Sequence, residues 1–225
     1  MLKLIVIVAL SGVVQSSIST HVLEGLRRHG YPRVVMDESI GKASQSLAKL
    51  LALSSRNAHE KEINAHLGVL LKRHGVSDAT FWPSIVRGPA VAGHHVLKDI
   101  LPKLNRTFKP SHLGIGQYQA GGDRFVVSIF VHRAGDLSFE DRGVMTQGTR
   151  RIKGTLTAGY FQPRIIVETA DGKMTAHHPD LDQERRFEVL VQDASESSNV
   201  KVELVAEHVS GPRVLNLVET AVEKG

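Results

Sequence analysis

The stretch His112-Leu-Gly-Ile-Gly-Gln-Tyr-Gln-Ala-Gly-Gly-Asp-Arg-Phe-Val-Val-Ser-Ile-Phe-Val131 decides the fold of this chain. It contains two strand-like segments joined by a Gly-Gly pair. The run from Phe125 to Val131 is almost continuously apolar, which predicts a central strand covered on both faces. Gly114 and Gly116 predict strand positions at which another backbone approaches closely, rather than a phosphate-binding loop.

Four segments on the N-terminal side of this stretch have the apolar spacing of helices. They are expected at about residues 20–29, 37–53, 60–73 and 90–104, and Pro102 interrupts the last. A short extended piece separates the first two. Helices that alternate with extended pieces and then lead into a strand pair predict a mixed α/β domain.

The C-terminal part has the pattern of an all-β domain. A polar, glycine-containing stretch at 134–151 precedes it and is interpreted as the domain boundary. Asp171-Gly172 is typical of a hairpin turn. We therefore predict the α+β class, with an α/β domain at 18–140 and a small β-sandwich at 152–225. Short strands of the β-sandwich are expected at 152–157, 163–168, 186–192, 200–207 and 212–219.

The first 17 residues have the pattern of a signal peptide. One positive charge, Lys3, precedes an apolar run from Leu4 to Val14, and small residues follow. The run is shorter than the about 20 apolar residues of a membrane-spanning helix. The alternative is the first buried strand of a nucleotide-binding βαβ unit, but no G-x-G-x-x-G or G-K-[ST] follows it. A signal peptide at 1–17 predicts a secreted or periplasmic protein without a stable membrane span.

Composition narrows the classes of partner. The chain has no Cys, which excludes disulfides, thiolate metal sites and a Cys nucleophile. The net charge is +5, but the basic residues are scattered in groups such as Arg27-Arg28 and Arg185-Arg186, and aromatic residues make up 5%. Scattered charge and few aromatic rings argue against a nucleic-acid partner.

Two segments resemble the CAP superfamily, also called SCP or CRISP/antigen 5/PR-1-like. The first is Leu26-Arg-Arg-His-Gly-Tyr-Pro-Arg-Val-Val-Met-Asp-Glu-Ser-Ile-Gly-Lys-Ala, and the second is Phe108-Lys-Pro-Ser-His-Leu-Gly-Ile-Gly. The segments Gly154-Thr-Leu, Pro163-Arg-Ile-Ile-Val and Gly211-Pro-Arg-Val-Leu resemble the β-domain that follows CAP-like domains in some secreted bacterial proteins. The resemblance implies a three-layer αβα domain with a cleft over its sheet.

In many members of that family the cleft is lined by two His and two Glu that hold a divalent metal. The family's H-x-x-N-[IL]-L motif fits best with Asp99-Ile-Leu in its last three places, which puts Val96 at the His position, one residue past His95. Asp99 stands where Asn belongs, and no G-E-N occurs. The resemblance therefore implies a CAP-like domain whose metal tetrad is degenerate.

The candidate ligand-binding residues are histidines. His59 and His66 are seven residues apart, which is two helical turns on one face, and they are candidates to line a residual cleft. His94 and His95 are adjacent and are expected to point about 100° apart on a helix, so they do not readily share one ion. The pair His177-His178, near Asp180 and Asp182, is interpreted as a solvated loop.

Three function classes remain open. The first is an exported, non-catalytic binding module whose ligand is a peptide, a lipid or an envelope polymer, with no cofactor. The second is an exported hydrolase, with Zn²⁺ as the metal, built from His59, His66, His94 or His95 with Glu60 or Glu62. The third is a structural envelope protein, for which an exposed apolar patch on the β-domain is expected. No nucleophile elbow G-x-S-x-G or H-E-x-x-H occurs, so the binding module is preferred.

The central-strand assignment can be tested by mutation. Phe130→Asp is expected to abolish folding, because it places an unpaired charge inside the core. Thermal unfolding and solubility of the purified variant measure the effect. Values close to those of the wild type would contradict the strand assignment.

Overall fold

A computed structural model describes residues 17–54, 60–78, 80–104, 109–139, 149–169, 172–192 and 200–220. The chain has the predicted α+β class and divides into two compact units. The first unit comprises the described residues up to Val76 and Phe81–His132, and the second comprises Ser77–Thr80 and the residues from Arg133 onward. The predicted signal peptide lies, except for its last residue, outside the described residues.

The first unit contains four helices and four strands among its described residues. The sheet order is β1-β3-β4-β2, with β1 parallel to β3 and the other pairs antiparallel. None of the helices in the described ranges is long and apolar enough to cross a membrane. In chain order the elements are α1 (17–28), β1 (Val35–Met36), α2 (Glu38–Leu53), α3 (Glu60–Arg73), β2 (Phe81–Gly88), α4 (Gly93–Ile100), β3 (His112–Ala120) and β4 (Asp123–Val131).

Helix α4 is shorter than the helix predicted at 90–104. It ends at Ile100, and a turn covers 101–103. Pro102 has no N–H to donate to the carbonyl of Lys98, which removes a helical hydrogen bond at this point. The prediction placed this end too late because the apolar spacing continues through Leu101 and Leu104.

Strand β4 is interior to its sheet and buried on both faces, as predicted. Val127, Ile129 and Val131 belong to a core cluster with residues of α2 and α3. Val126 and Phe130 belong to another cluster, with residues of α1 and α4. The first unit is therefore a sheet with two helices on each side.

Helix α2 lies directly against strand β3 because two strand residues have no side chain. A Cβ at Gly114 would lie 2.3 Å from the backbone N of Gly41, and one at Gly116 would lie 2.1 Å from the backbone N of Gln45. Real Cβ atoms do not approach backbone this closely, so the helix could not keep its position over an alanine. The predicted close approach of another backbone at these two glycines is confirmed.

Hydrogen bonds hold α2 in this position. The hydroxyl of Ser44 donates to the carbonyl of Gly114 at 3.0 Å. The side chain of Gln45 donates to the carbonyl of Gln117 at 2.7 Å and accepts from its N–H at 2.9 Å. The amide thus pairs with both backbone groups of one strand residue, which fixes the helix along the strand axis.

The second unit is a β-sandwich whose two sheets are entirely antiparallel in the described residues. One sheet has the order β11-β10-β7-β8 and the other β5-β6-β9, and residues of both meet in one apolar core. The strands are β5 (Gly135–Phe139), β6 (Thr149–Leu156), β7 (Tyr160–Glu168), β8 (Met174–His177), β9 (Arg186–Gln192), β10 (Val200–His208) and β11 (Arg213–Thr220).

The hairpin predicted around Asp171-Gly172 joins β7 and β8, and Gly172 has a φ of +79°. Strand β5 lies in the segment that was interpreted as a boundary. The sequence pattern missed it because its five residues are too few to show a clear alternation.

A segment from the N-terminal half completes the second unit. Asp78 forms a β-bridge with Asn216. Its carboxylate, 2% exposed, accepts hydrogen bonds from the guanidinium of Arg133 at 2.9 and 3.1 Å. The two chain segments that enter the second unit are therefore joined by an ion pair whose carboxylate is buried.

The contact between α2 and β3 leads to a paired prediction. Gly116→Ala is expected to destabilise the protein by about 3 kcal/mol or more, because the methyl group overlaps the backbone of α2. Gly68→Ala is the matched control, since nothing lies within 4 Å of a Cβ on this helical glycine. It is expected to stabilise by about 1 kcal/mol through helix propensity. Urea unfolding measures the change in stability of both variants. Equal changes in the two variants would contradict the close packing of α2 on β3.

Candidate functional site

The histidines predicted to bind a ligand do not converge on one cleft. His66 is exposed on α3, and His94 and His95 are exposed on α4. Helices α3 and α4 contribute to different core clusters, on opposite faces of the sheet. The structure therefore does not bring His66 together with His94 or His95.

The remaining members of the proposed hydrolase site cannot be placed. His59 lies outside the described residues, as do the side chains of Glu60 and Glu62. The parts of the chain that the structure describes hold no group of three or more His, Asp or Glu residues positioned to bind a metal ion.

His94 and His95 have a local arrangement that their helical spacing did not predict. Their ring centroids are 3.9 Å apart, with planes inclined by 39°. The Nδ1 atom of His95 accepts a hydrogen bond from the backbone N–H of Ala92 at 3.1 Å. This bond satisfies a backbone donor at the start of α4, so His95 acts as part of the helix cap.

Two clefts occur in the second unit, on either side of the segment 178–182, which follows β8. The first cleft has a volume of about 590 Å³. Its lining comes from 162–164 on β7, Glu207 on β10 and 178–181. The second cleft has a volume of about 560 Å³. Its lining comes from Asp136 and Ser138 on β5, 153–155 on β6, 186–188 on β9, and Asp180 and Asp182.

The polar groups of the first cleft are largely available to a ligand. The side chains of Gln162, His178 and Asp180 make no hydrogen bond or ion pair with a residue that the structure describes. Two other lining groups are engaged with each other, the guanidinium of Arg164 and the carboxylate of Glu207, at 3.3 Å. The first cleft therefore offers an amide, an imidazole and a carboxylate to a polar ligand.

Most charged groups of the second cleft already have partners within the protein. Arg186 contacts Asp182 at 2.9 Å and Glu184 at 2.7 Å, and Glu188 contacts Arg151 at 3.1 Å. A ligand would have to compete with these pairs. Of the two clefts, the first is the better candidate site.

An irregularity in strand pairing shapes the first cleft. The register between β7 and β10 shifts by one residue between Val205 and Glu207, so Gln162 and Pro163 together oppose Ala206. Gln162 has a φ of +49°, in the left-handed region that non-glycine residues rarely occupy. Such β-bulges re-aim side chains and occur often beside functional sites.

A second residue with a strained backbone, Arg185, contacts the turn between β6 and β7. It has a φ of +64°. Its guanidinium donates to the carbonyls of Leu156 at 3.1 Å and Thr157 at 3.2 Å, and also to that of Tyr160. These bonds fix the turn between β6 and β7, immediately before the bulge.

Part of this site is visible in the sequence. His178 and Asp180 belong to the segment that the sequence predicts to be a solvated loop, whereas no sequence pattern singles out Gln162, Arg164 or Glu207. Pro163 did not indicate the bulge, because it is the first residue of the strand predicted at 163–168, a position where proline is tolerated. In the structure it lies inside β7, next to Gln162.

Comparisons with known proteins give low similarity. No protein-family model and no curated protein matches the chain. The Br derivative of BhCBM56 is 11% identical, over 41% of this chain and 96% of that one, with a TM-score of 0.33. The β-1,3-glucan binding domain of carbohydrate-binding module family 56 is 7% identical, over 38% of this chain and 96% of that one, with a TM-score of 0.30.

A β-glucuronidase from Ruminococcus gnavus, in complex with N1-substituted uronic isofagomine, is 12% identical. The match covers 48% of this chain and 22% of that one, with a TM-score of 0.25. TM-scores at this level do not establish a shared fold. The resemblance to the CAP superfamily stays a prediction.

The ion pair between Asp182 and Arg186 in the second cleft can be tested by titration of the Asp182 carboxyl group. Hydrogen bonds from the backbone N–H and then the side chain of Arg186 hold the pKa of Asp182 below the usual Asp range. The stability that this carboxylate contributes is therefore present above its unfolded-state pKa and is lost as the pH falls through its folded-state pKa. An NMR titration of the Asp182 carboxyl carbon measures the folded value, and the same titration in urea gives the reference.

In Arg186→Gln the pKa of Asp182 is expected to rise only part of the way, because the backbone donor at residue 186 remains. Equal pKa values in the folded and urea-unfolded protein would contradict this geometry.

Proposed function

We propose that this chain is an exported, non-catalytic binding protein whose second unit holds a glycan polymer of the cell envelope in the first cleft. One observation carries the proposal. A cleft of about 590 Å³ is lined by three polar side chains, Gln162, His178 and Asp180, that no described residue satisfies. An array of unused donors and acceptors suits a ligand rich in hydroxyl groups.

The lining also separates the ligand classes that the sequence left open. A lipid chain needs a continuous apolar wall. The apolar residues of this cleft, Pro163, Pro179 and Leu181, are interspersed with an amide, an imidazole and charged groups.

An extended peptide typically adds to an exposed sheet edge, where backbone groups are unpaired. β8 pairs with β7 only at 165–168, so the cleft residues 162–164 lie beyond its end and an extended peptide is the second candidate for this cleft. A glycan is preferred because the cleft groups without a partner among the described residues are side chains, those of Gln162, His178 and Asp180.

The assembly alternative has less support. It predicts one exposed apolar patch on the β-sandwich. The two most exposed large apolar side chains on described strands of the second unit are Met174 on β8 and Leu190 on β9, and these strands belong to different sheets. The polar cleft is therefore the more distinctive surface of this unit.

For the first unit we propose a CAP-like domain that has lost its metal tetrad. The sheet with two helices on each side supports the proposal, because the resemblance implies a three-layer domain. Export through a signal peptide at 1–17 is part of the same proposal, and the mature N-terminus of the secreted protein, measured by mass spectrometry, tests it.

Binding of soluble glycans to the full-length protein tests the proposed function. The probes are laminarin as a neutral glucan, chitosan oligosaccharide as a cationic glycan and polygalacturonate as an anionic one, measured by calorimetry. His178→Ala and Asp180→Ala are each expected to weaken binding of the preferred glycan about tenfold, the effect of one lost hydrogen bond.

Thr155→Ala is the control, because Thr155 lines only the second cleft. It is expected to change affinity less than twofold. Absence of binding to all three glycans would overturn the proposed function, and so would weaker binding by the Thr155 variant alone. Release of reducing ends during incubation would contradict the non-catalytic role.

A further inference from the structure

Regular strand pairing would bury the side chain of Phe161. Inward-facing residues alternate along β7, and Pro163, Ile165 and Val167 are all buried. Continued alternation would place Phe161 on the same inner face. The β-bulge prevents this, because it makes Phe161 the register partner of Glu207.

Glu207 lies on the outer face of the sheet, where it contacts Arg164. Residues directly opposite each other on paired strands share a face, so the ring of Phe161 also lies on the outer face. It is 44% exposed. Its sequence neighbour Gln162 and its register partner Glu207 both line the first cleft, so the exposed ring is placed next to the cleft by sequence and by register.

This arrangement is unfavourable for the folded protein taken alone. Gln162 adopts a strained left-handed conformation, and the ring that could have joined the core remains in contact with water. Contacts of the neighbouring residue Tyr160 nevertheless fix the backbone next to Phe161. The carbonyl of Tyr160 accepts a bond from Arg185, and the ring of Tyr160 packs against the core, 5.0 Å from the ring of His208. Phe161 is thus presented to solvent by an anchored backbone.

We infer that Phe161 is the stacking platform for a pyranose ring of a non-acidic glycan, whose hydroxyl groups bind Gln162, His178 and Asp180. This inference rests on the proposed function. The flat apolar face of a phenyl ring complements the C–H face of a sugar ring, and a preorganised aromatic residue beside polar groups is a typical binding anchor.

The charges of the first cleft select the ligand class. Its lining includes one guanidinium, that of Arg164, and two carboxylates, those of Asp180 and Glu207. Because Arg164 already contacts Glu207, the carboxylate of Asp180 remains uncompensated. A neutral or amino sugar can approach it, whereas the carboxylate of a uronic acid would be repelled.

The experiment compares Phe161→Ala with Phe161→Trp and the wild type, using laminarin, chitosan oligosaccharide and polygalacturonate. Phe161→Ala is expected to bind the preferred glycan at least tenfold more weakly, with its thermal unfolding unchanged. Phe161→Trp is expected to retain binding. Since the chain has one other Trp, Trp82 in the first unit, this variant is also expected to gain an emission change with glycan that the wild type lacks.

Met174→Ala is the matched control, because Met174 is an exposed apolar residue paired with Glu168 at the opposite end of β7. It is expected to bind like the wild type. If the wild type binds a glycan but Phe161→Ala binds equally well, the inference that Phe161 stacks on a sugar ring is wrong, while the proposed function stands. Preference for polygalacturonate would overturn the ligand class. Failure of the wild type to bind any glycan would overturn both proposals.

Discussion

A shift of one residue in the pairing of β7 with β10 determines which side chains of the second unit meet solvent. On one side of the shift, Val205 pairs with Arg164, and on the other, Glu207 pairs with Phe161. A second irregularity, between β10 and β11, occurs at Leu204 and Val205. Strand β10 is therefore irregular on both sides at one level, and the sheet places polar groups and an aromatic ring on its outer face there.

The core beneath the bulge keeps regular sandwich packing. Ile165, Val167, Val202 and Leu204 remain buried, together with residues of the opposite sheet. The bulge therefore changes the outer face without opening the apolar core. A surface changed in this way adds little strain elsewhere, because only Gln162 and Arg185 among the described non-glycine residues have positive φ.

The first unit follows a different constraint, in which the absence of two side chains allows a helix to lie on a strand. Gly114 and Gly116 give the backbone of α2 its close contact with β3, and the buried hydroxyl of Ser44 donates to the carbonyls of Gly114 and Ile40. This packing occupies one face of the sheet, and α1 and α4 cover the other. In the proposed account this unit is a CAP-like scaffold without metal chemistry.

Much of the fold could be predicted because the sequence patterns that indicate it lie within short segments of the chain. The apolar run at Phe125 to Val131 was enough to identify the central strand, and glycines inside a predicted strand were enough to identify close backbone contact. The candidate site depends on contacts between residues that are distant in sequence. Arg164 meets Glu207 across 43 positions, and Arg133 meets Asp78 across 55.

No periodicity in a single segment reveals such pairs. The histidines were misleading for a related reason. Histidine content and spacing along one helix do not indicate which face of a sheet that helix covers. His66 and His94 therefore looked similar as candidates although their helices lie on opposite sides.

Mapping of glycan contacts by NMR tests the central claim most directly. Isotope-labelled protein would be titrated with laminarin or chitosan oligosaccharide, whichever binds, and backbone amide shifts followed. The largest shifts are expected at 161–164, at 178–181 and at Glu207. Shifts confined to the first unit, or to 153–155 and 186–188 in the second cleft, would contradict binding in the first cleft.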